Sequence, residues 1–132
     1  LKTIKKLTVL SLPVFILIGI LSSWAFPFFF GQKWMEAGVI AQIITPWMFF
    51  NFLNSPLSQI PLIVKKQKEV FFISIFGFII GVVALLIGGF YLVDVYKSLI
   101  LFSIIQSSYL LFVLIWTLKI AKRFDKIKSI NT

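Results

Sequence analysis

In 132 residues the chain carries 13 Lys and Arg against 4 Asp and Glu, has no His and no Cys, and is 60% apolar. Soluble domains are about 45–50% apolar and about 25% charged, whereas charged residues make up 13% of this chain and its mean hydropathy is +1.05. A soluble globular domain and a disordered chain are both excluded, as are thiol chemistry and histidine-based sites. With about 20 apolar residues needed per crossing, the length accommodates four membrane spans and little else. The sequence therefore predicts an all-α, polytopic membrane protein forming a single membrane domain over 1–132.

The first apolar run is Leu7 to Phe30, with Pro13 and Pro27 near its ends. A basic start, an apolar middle and Ser23-Trp24-Ala25 resemble a secretory signal peptide, but the run continues through Phe30, which favours a span. The second run, 37–64, has 28 residues. As a straight helix it would extend about 42 Å against a core of about 30 Å, so it must tilt, kink or break. Pro46, Pro56 and Pro61 supply the means. Asn51, Asn54, Ser55 and Ser58 follow helical spacing and share one face, which is costly to turn toward lipid.

The third run, 70–93, contains Ser74, Gly77, Gly81, Ala84 and Gly88 at intervals of three and four residues. Such a stripe lets helix backbones approach closely in a membrane. It fits either static packing or a surface that slides during transport. The fourth run, 99–118, carries Ser103, Gln106 and Ser107 on one side, suited to hydrogen bonds between helices. A basic tail, 119–132, follows.

Basic residues alternate loop by loop. Lys2, Lys5 and Lys6 precede the first run, Lys65, Lys66 and Lys68 follow the second, and Lys119, Lys122, Arg123, Lys126 and Lys128 follow the last. The remaining two turns hold Lys33 and Lys97 alone. The positive-inside rule then predicts four transmembrane helices with both termini cytoplasmic. Nucleic acid is not an expected partner, because the basic residues form no single patch among solvated aromatics. Membrane lipid is, and the basic tail also suits anionic headgroups.

All four acids, Glu36, Glu69, Asp94 and Asp125, lie in turns or the tail. The runs thus contain no embedded charge of the sort that ion-driven pumps place at depth. Paired carboxylates, metal ligands, an activated nucleophile and phosphate-cradling loops are missing, so neither enzyme activity nor a cofactor or metal is expected.

One stretch carries a resemblance. The first outward turn reads GQKWMEAG (31–38), the second run contains AQIITPWMFFNFLNSPLSQI, and the following loop is KKQKE. In Gly31, Trp34, Ala37, Gly38, Pro46, Trp47, Ser55, Pro56, Leu57, Ser58 and Gln67, this order resembles the C-terminal part of the bacterial polysaccharide-export flippases. These form the oligosaccharide flippase family of the multidrug/oligosaccharidyl-lipid/polysaccharide transporter superfamily. The resemblance covers about residues 31–68.

It implies a protein of the bacterial inner membrane that flips a lipid-linked oligosaccharide, such as a polysaccharide or O-antigen repeat unit, by alternating access. Flippases of this type have more helices than four, so the chain is expected to be the C-terminal third of a larger transporter, partnered by the remaining helices. By this implication Gln42, Asn51, Asn54, Ser55 and Ser58 are candidates for the polar lining of a transport pathway. They fit equally a role in re-satisfying a kinked backbone. The alternative function is a stand-alone four-span scaffold or accessory protein, self-associating through the small-residue stripe.

Overall fold

The computed structural model describes residues 2–130, with side chains at 6–91 and 93–123, so the side chains of Lys2, Lys5, Asp125, Lys126 and Lys128 lie outside it. All regular elements among the described residues are helical. They are α1 (Lys2–Phe30), α2 (Met35–Asn54), the short α3 (Ile60–Ile63), α4 (Gln67–Ile87) and α5 (Val95–Ile130). A 3₁₀ turn over Gln32–Trp34 joins α1 to α2, another over Ser55–Leu57 follows α2, and a π turn over Gly88–Leu92 ends α4.

Three helical stretches are long and apolar enough to cross a membrane: Lys6–Phe30, Gln67–Tyr91 and Val95–Arg123. Prolines 13 and 27 lie inside α1 without ending it, as is tolerated where neighbouring groups re-satisfy the freed carbonyls. The fourth helix, α2, spans 20 residues, or about 30 Å at 1.5 Å per residue. It is less apolar than the others because Glu36, Gln42, Thr45, Asn51 and Asn54 fall within it.

The overlong second run breaks rather than tilts. Pro46 stays inside α2, and the α-helix ends at Asn54, two residues before Pro56. Pro56 has no N–H to give to the carbonyl four residues back, and the chain tightens there into the 3₁₀ turn of Ser55–Leu57. At the other end of the chain α5 continues well past the fourth apolar run, so the basic tail through Ile130 is helical.

Cross-helix pairs give the register. Ser22 meets Gly38 and Phe15 meets Phe49, so α1 and α2 are antiparallel. Gly77 meets Tyr109 and Gly88 meets Ser98, so α4 and α5 are antiparallel as well. Trp47 meets Phe102 and Asn54 meets Leu110, so α2 and α5 lie side by side and parallel. The order in space is therefore α1, α2, α5, α4.

The start of α1, the α3–α4 turn and the end of α5 share one end of this row. Lys6, Lys65, Lys66, Lys68, Lys119, Lys122 and Arg123 gather there, while Lys33 and Lys97 occupy the other end.

The apolar core is small. Leu53, Leu57 and Leu114 are buried together, with Leu7, Phe49, Ile60 and Leu118 packed around them. Large apolar side chains instead cover the outside: Val9 and Leu10 on α1, Phe71, Phe72 and Phe78 on α4, and Ile104 and Phe112 on α5 are all exposed. In water so continuous an apolar surface would drive aggregation. It suits a multi-pass protein whose outer solvent is hydrocarbon.

Candidate functional site

The polar residues of the second run divide into two groups. Gln42 and Asn54 tie helices together. Gln42 Nε2 donates to the carbonyl oxygens of Gly19 (2.9 Å) and Ile20 (3.1 Å) on α1. Asn54 Nδ2 donates to Phe50 O at 2.9 Å in its own helix and to Leu110 O at 3.0 Å on α5. Both amide hydrogens of Asn54 are thus engaged, leaving Oδ1 as an acceptor.

Asn51, Ser55 and Ser58 are exposed and face a cavity of about 290 Å³ between the end of α2, the first half of α4 and α5. Asn54, Ser74, Tyr109 and Thr117 complete its polar lining, with Val70, Ile73, Val113 and Trp116 among its apolar walls. Ser58 Oγ donates to Ser55 O at 2.8 Å, and Tyr109 Oη donates to Ile73 O at 2.8 Å. The lining includes hydroxyls, the amides of Asn51 and Asn54 and aromatic rings but no charged group. Such a surface hydrogen-bonds neutral polar groups and offers nothing that titrates near neutral pH.

Sequence reasoning missed Tyr109, Trp116 and Thr117. The signal for Tyr109 was its position three residues after Gln106, on the same side of α5.

The small-residue stripe lies against α5. Gly77, Gly81, Ala84 and Gly88 are buried, while Ser74 turns to the cavity. Each glycine faces a polar or aromatic residue of α5. A Cβ on Gly77 would collide with the Tyr109 ring, one on Gly81 with Gln106, and one on Gly88 with Ser98 at 2.5 Å. Gln106 Nε2 donates to Gly77 O at 3.0 Å. Association of copies through this stripe would require α5 to leave it.

The residues of the flippase-like stretch occupy turns and contacts. Gly31 sits at φ +93°, a conformation that favours glycine, between α1 and the 3₁₀ turn. Trp34 ends that turn, exposed, with its ring 5.6 Å from Phe30. Ala37 is half-buried, and Gly38 is pressed onto α1 so closely that a Cβ would lie 2.5 Å from Ser22 O. Pro46 is exposed, and Trp47 packs edge-on against Phe102. Ser55-Pro56-Leu57 form the second 3₁₀ turn with Leu57 in the core, Ser58 caps it, and Gln67 opens α4.

Among the described residues, the charged side chains within the long helices lie in their end turns. Lys66 Nζ lies 2.6 Å from Glu69 Oε1 at the start of α4, and Lys97 Nζ lies 3.8 Å from Asp94 Oδ2 at the start of α5. No group of three metal-ligating side chains occurs among the described residues. No family model, curated protein or solved structure matches the chain.

Proposed function

We propose that this chain is part of a bacterial inner-membrane transporter that flips a lipid-linked oligosaccharide by alternating access, and that it is not an enzyme. The observation that carries the reading is the uncharged polar cavity, where Asn51, Ser55, Ser58, Ser74 and Tyr109 converge within an otherwise apolar bundle. Sugars present neutral hydroxyls that both donate and accept, which such a lining complements. Apolar walls beside it accommodate a lipid chain. The resemblance over 31–68 supports the same class of substrate.

In this reading all four long helices cross the membrane. Helix α2 has the length of the hydrocarbon core and lies between two apolar spans, antiparallel to α1 and parallel to α5. The end of the bundle with Lys6, Lys65, Lys66, Lys68, Lys119, Lys122 and Arg123 faces the cytoplasm, and both termini with it.

The test is surface polysaccharide on cells whose only flippase is the full-length protein carrying this chain. Asn51→Leu combined with Ser58→Ala should lower export, while Ile79→Ala, on the apolar exterior of α4, should not. Equal and negligible effects at normal protein levels would remove the cavity from the transport pathway.

A further inference from the structure

The cavity beside Asn51 and Ser58 reaches the basic end of the bundle, and cations stand at its rim. Lys66 gives its backbone N–H to Pro61 O at 2.8 Å, and its carbonyl accepts the N–H of Val70 at 3.1 Å. Both Pro61 and Val70 line the cavity, so Lys66 borders the wall directly. On α5, Trp116 and Thr117 line the same end. Lys119 and Arg123 follow Trp116 by three and seven residues, on its side of the helix, and both are exposed.

Thr117 is 3% exposed and lines the cavity, and its hydroxyl has no hydrogen-bond partner among the described residues. A helical threonine ordinarily bonds the carbonyl four residues back, as Thr45 does to Ala41 O at 2.6 Å. Thr117 does not. Its oxygen is also not one of the fully enclosed ones, those of Ser11, Ser103 and Ser107, so it remains open to an occupant of the cavity. Counted along α5 from Lys119, Thr117 lies about 3 Å and Tyr109 about 15 Å into the bundle. The cavity thus runs from the level of the cations to the depth of the hydrocarbon, with Val70, Ile73 and Val113 as its apolar wall.

We propose that the mouth of this cavity binds one anionic phospholipid of the adjoining leaflet. The phosphate lies between Lys66 on the α3–α4 turn and Lys119 and Arg123 on α5. An ester carbonyl beneath it accepts from Thr117 Oγ1, and one chain starts down the wall of Val70, Ile73 and Val113. Charge complementarity selects this occupant. Among the described side chains, Lys6, Lys65, Lys66, Lys68, Lys119, Lys122 and Arg123 at this end face a single acid, Glu69, which Lys66 itself holds. Basic recesses between membrane helices hold anionic headgroups in this way. The positive-inside rule asks only that cations lie on this side of the membrane. It does not ask that they border a cavity with an open, buried hydroxyl. The lipid site does not depend on what the protein transports.

The test is lipid retention. The protein in bilayer discs of equal phosphatidylglycerol and phosphatidylcholine is released in a mass spectrometer, and the lipids still bound are counted. Phosphatidylglycerol should be retained over phosphatidylcholine by at least about tenfold. Removing one cation near a surface weakens the attraction for anionic lipid about fivefold, so Lys66→Gln, Lys119→Gln and Arg123→Gln together should abolish the preference. Lys6→Gln, Lys68→Gln and Lys122→Gln remove as much charge from the same end, away from the rim, and should leave most of it. Equal losses in the two triple variants would show diffuse attraction and overturn the site. Added glycerol 3-phosphate should not displace the lipid, and displacement would overturn the lipid as occupant.

A measurement on the unmodified protein keeps the decision open should a variant fail to fold. Phosphatidylglycerol with a photoreactive group early in one chain should attach to Val70, Ile73 and Val113. Attachment confined to the outer faces of α1 and α4 would overturn the proposal.

Discussion

The side-chain amide of Gln106 reaches across from α5 to the carbonyl oxygen of Gly77, 3.0 Å away, directly beside the bare backbone of Gly81. Two residue types explain each other here. Glycine at 77 and 81 clears the space, and the glutamine fills it while satisfying its donor in a place without water. Tyr109 repeats the arrangement one turn on, its ring over Gly77 and its hydroxyl on Ile73 O. Hydrogen bonds of this type contribute about 0.6 kcal/mol each in a membrane, so Gln106→Leu, which keeps the packing volume beside Gly81 but loses the bond to Gly77 O, is expected to cost about that much. Gln106→Ala should cost about 1–2 kcal/mol as a lost bond and a small void. Reversible unfolding in mixed detergent micelles measures both.

Glycines in the bundle should differ in their response to alanine according to what stands opposite. At Gly38 the obstacle is the backbone of α1, with Ser22 O at 2.5 Å and Ser23 Cα at 2.9 Å, which cannot rotate away. Gly38→Ala should therefore separate α1 from α2 and cost about 1–3 kcal/mol or more. Gly77→Ala meets a tyrosine ring that can swing, and its cost should be smaller. At Gly89 nothing lies within 4 Å, and alanine there should be neutral or stabilising by up to about 1 kcal/mol. The ranking 38, 77, 89 in the same unfolding assay is the expected outcome.

Much of this packing is legible in the sequence because it is local and periodic. The spacing of Gly77, Gly81, Ala84 and Gly88 marks a face that packs closely on a neighbour, and Gly77 and Gly81 take the side chains of Tyr109 and Gln106 while Gly88 takes the backbone at Ser98. What periodicity cannot supply is the partner. Nothing in the spacing of Asn54 shows that its amide reaches Leu110, 56 residues away, or that α2 and α5 lie parallel with two other helices between them in the chain. The polar set of the second run reads as one face, yet Gln42 turns to α1, while Asn51, Asn54, Ser55 and Ser58 line the cavity, Asn54 with its amide tied to α5. Side-chain length and neighbour position, rather than helical angle, decide that division. The break falls after Asn54 instead of at Pro46, where Trp47 beside the proline packs on Phe102 of α5.

Val93 adopts φ +48° and ψ +28°, the left-handed region, at the turn into α5. For a β-branched residue this costs about 1–2 kcal/mol, and its side chain is 84% exposed, so no packing compensates. Val93→Gly should raise stability by about 0.5–1 kcal/mol, after allowing for the greater freedom glycine has in the unfolded chain. Val93→Asn should move in the same direction, and Val93→Ile should not.

Asp94, the next residue, starts α5. Its Oδ1 accepts from the backbone N–H of Tyr96 at 2.9 Å and of Lys97 at 3.3 Å. These are two of the donors a helix leaves unpaired at its first turn. Asp94→Ala should cost about 0.5–2 kcal/mol, and Asp94→Asn, which retains an acceptor, distinctly less. Hydrogen exchange at the first turn of α5 would localise the loss, since fraying there leaves the Gln106–Gly77 contact intact.

Whether α2 crosses the membrane decides the arrangement of everything around it. If it crosses, Lys33 just before its start and Lys66 at the α3–α4 turn beyond its other end lie on opposite sides. If it does not, both lie on one side, and the basic end of the bundle no longer faces a single compartment. Single cysteines at 33, 66, 97 and 122 separate the cases, because these residues are on exposed turns or helix ends. In intact cells an impermeant thiol reagent should label positions 33 and 97, and positions 66 and 122 only after permeabilisation. Labelling of 33 and 66 together would place α2 along the surface, and the four-span bundle with its cytoplasmic basic end would have to be abandoned.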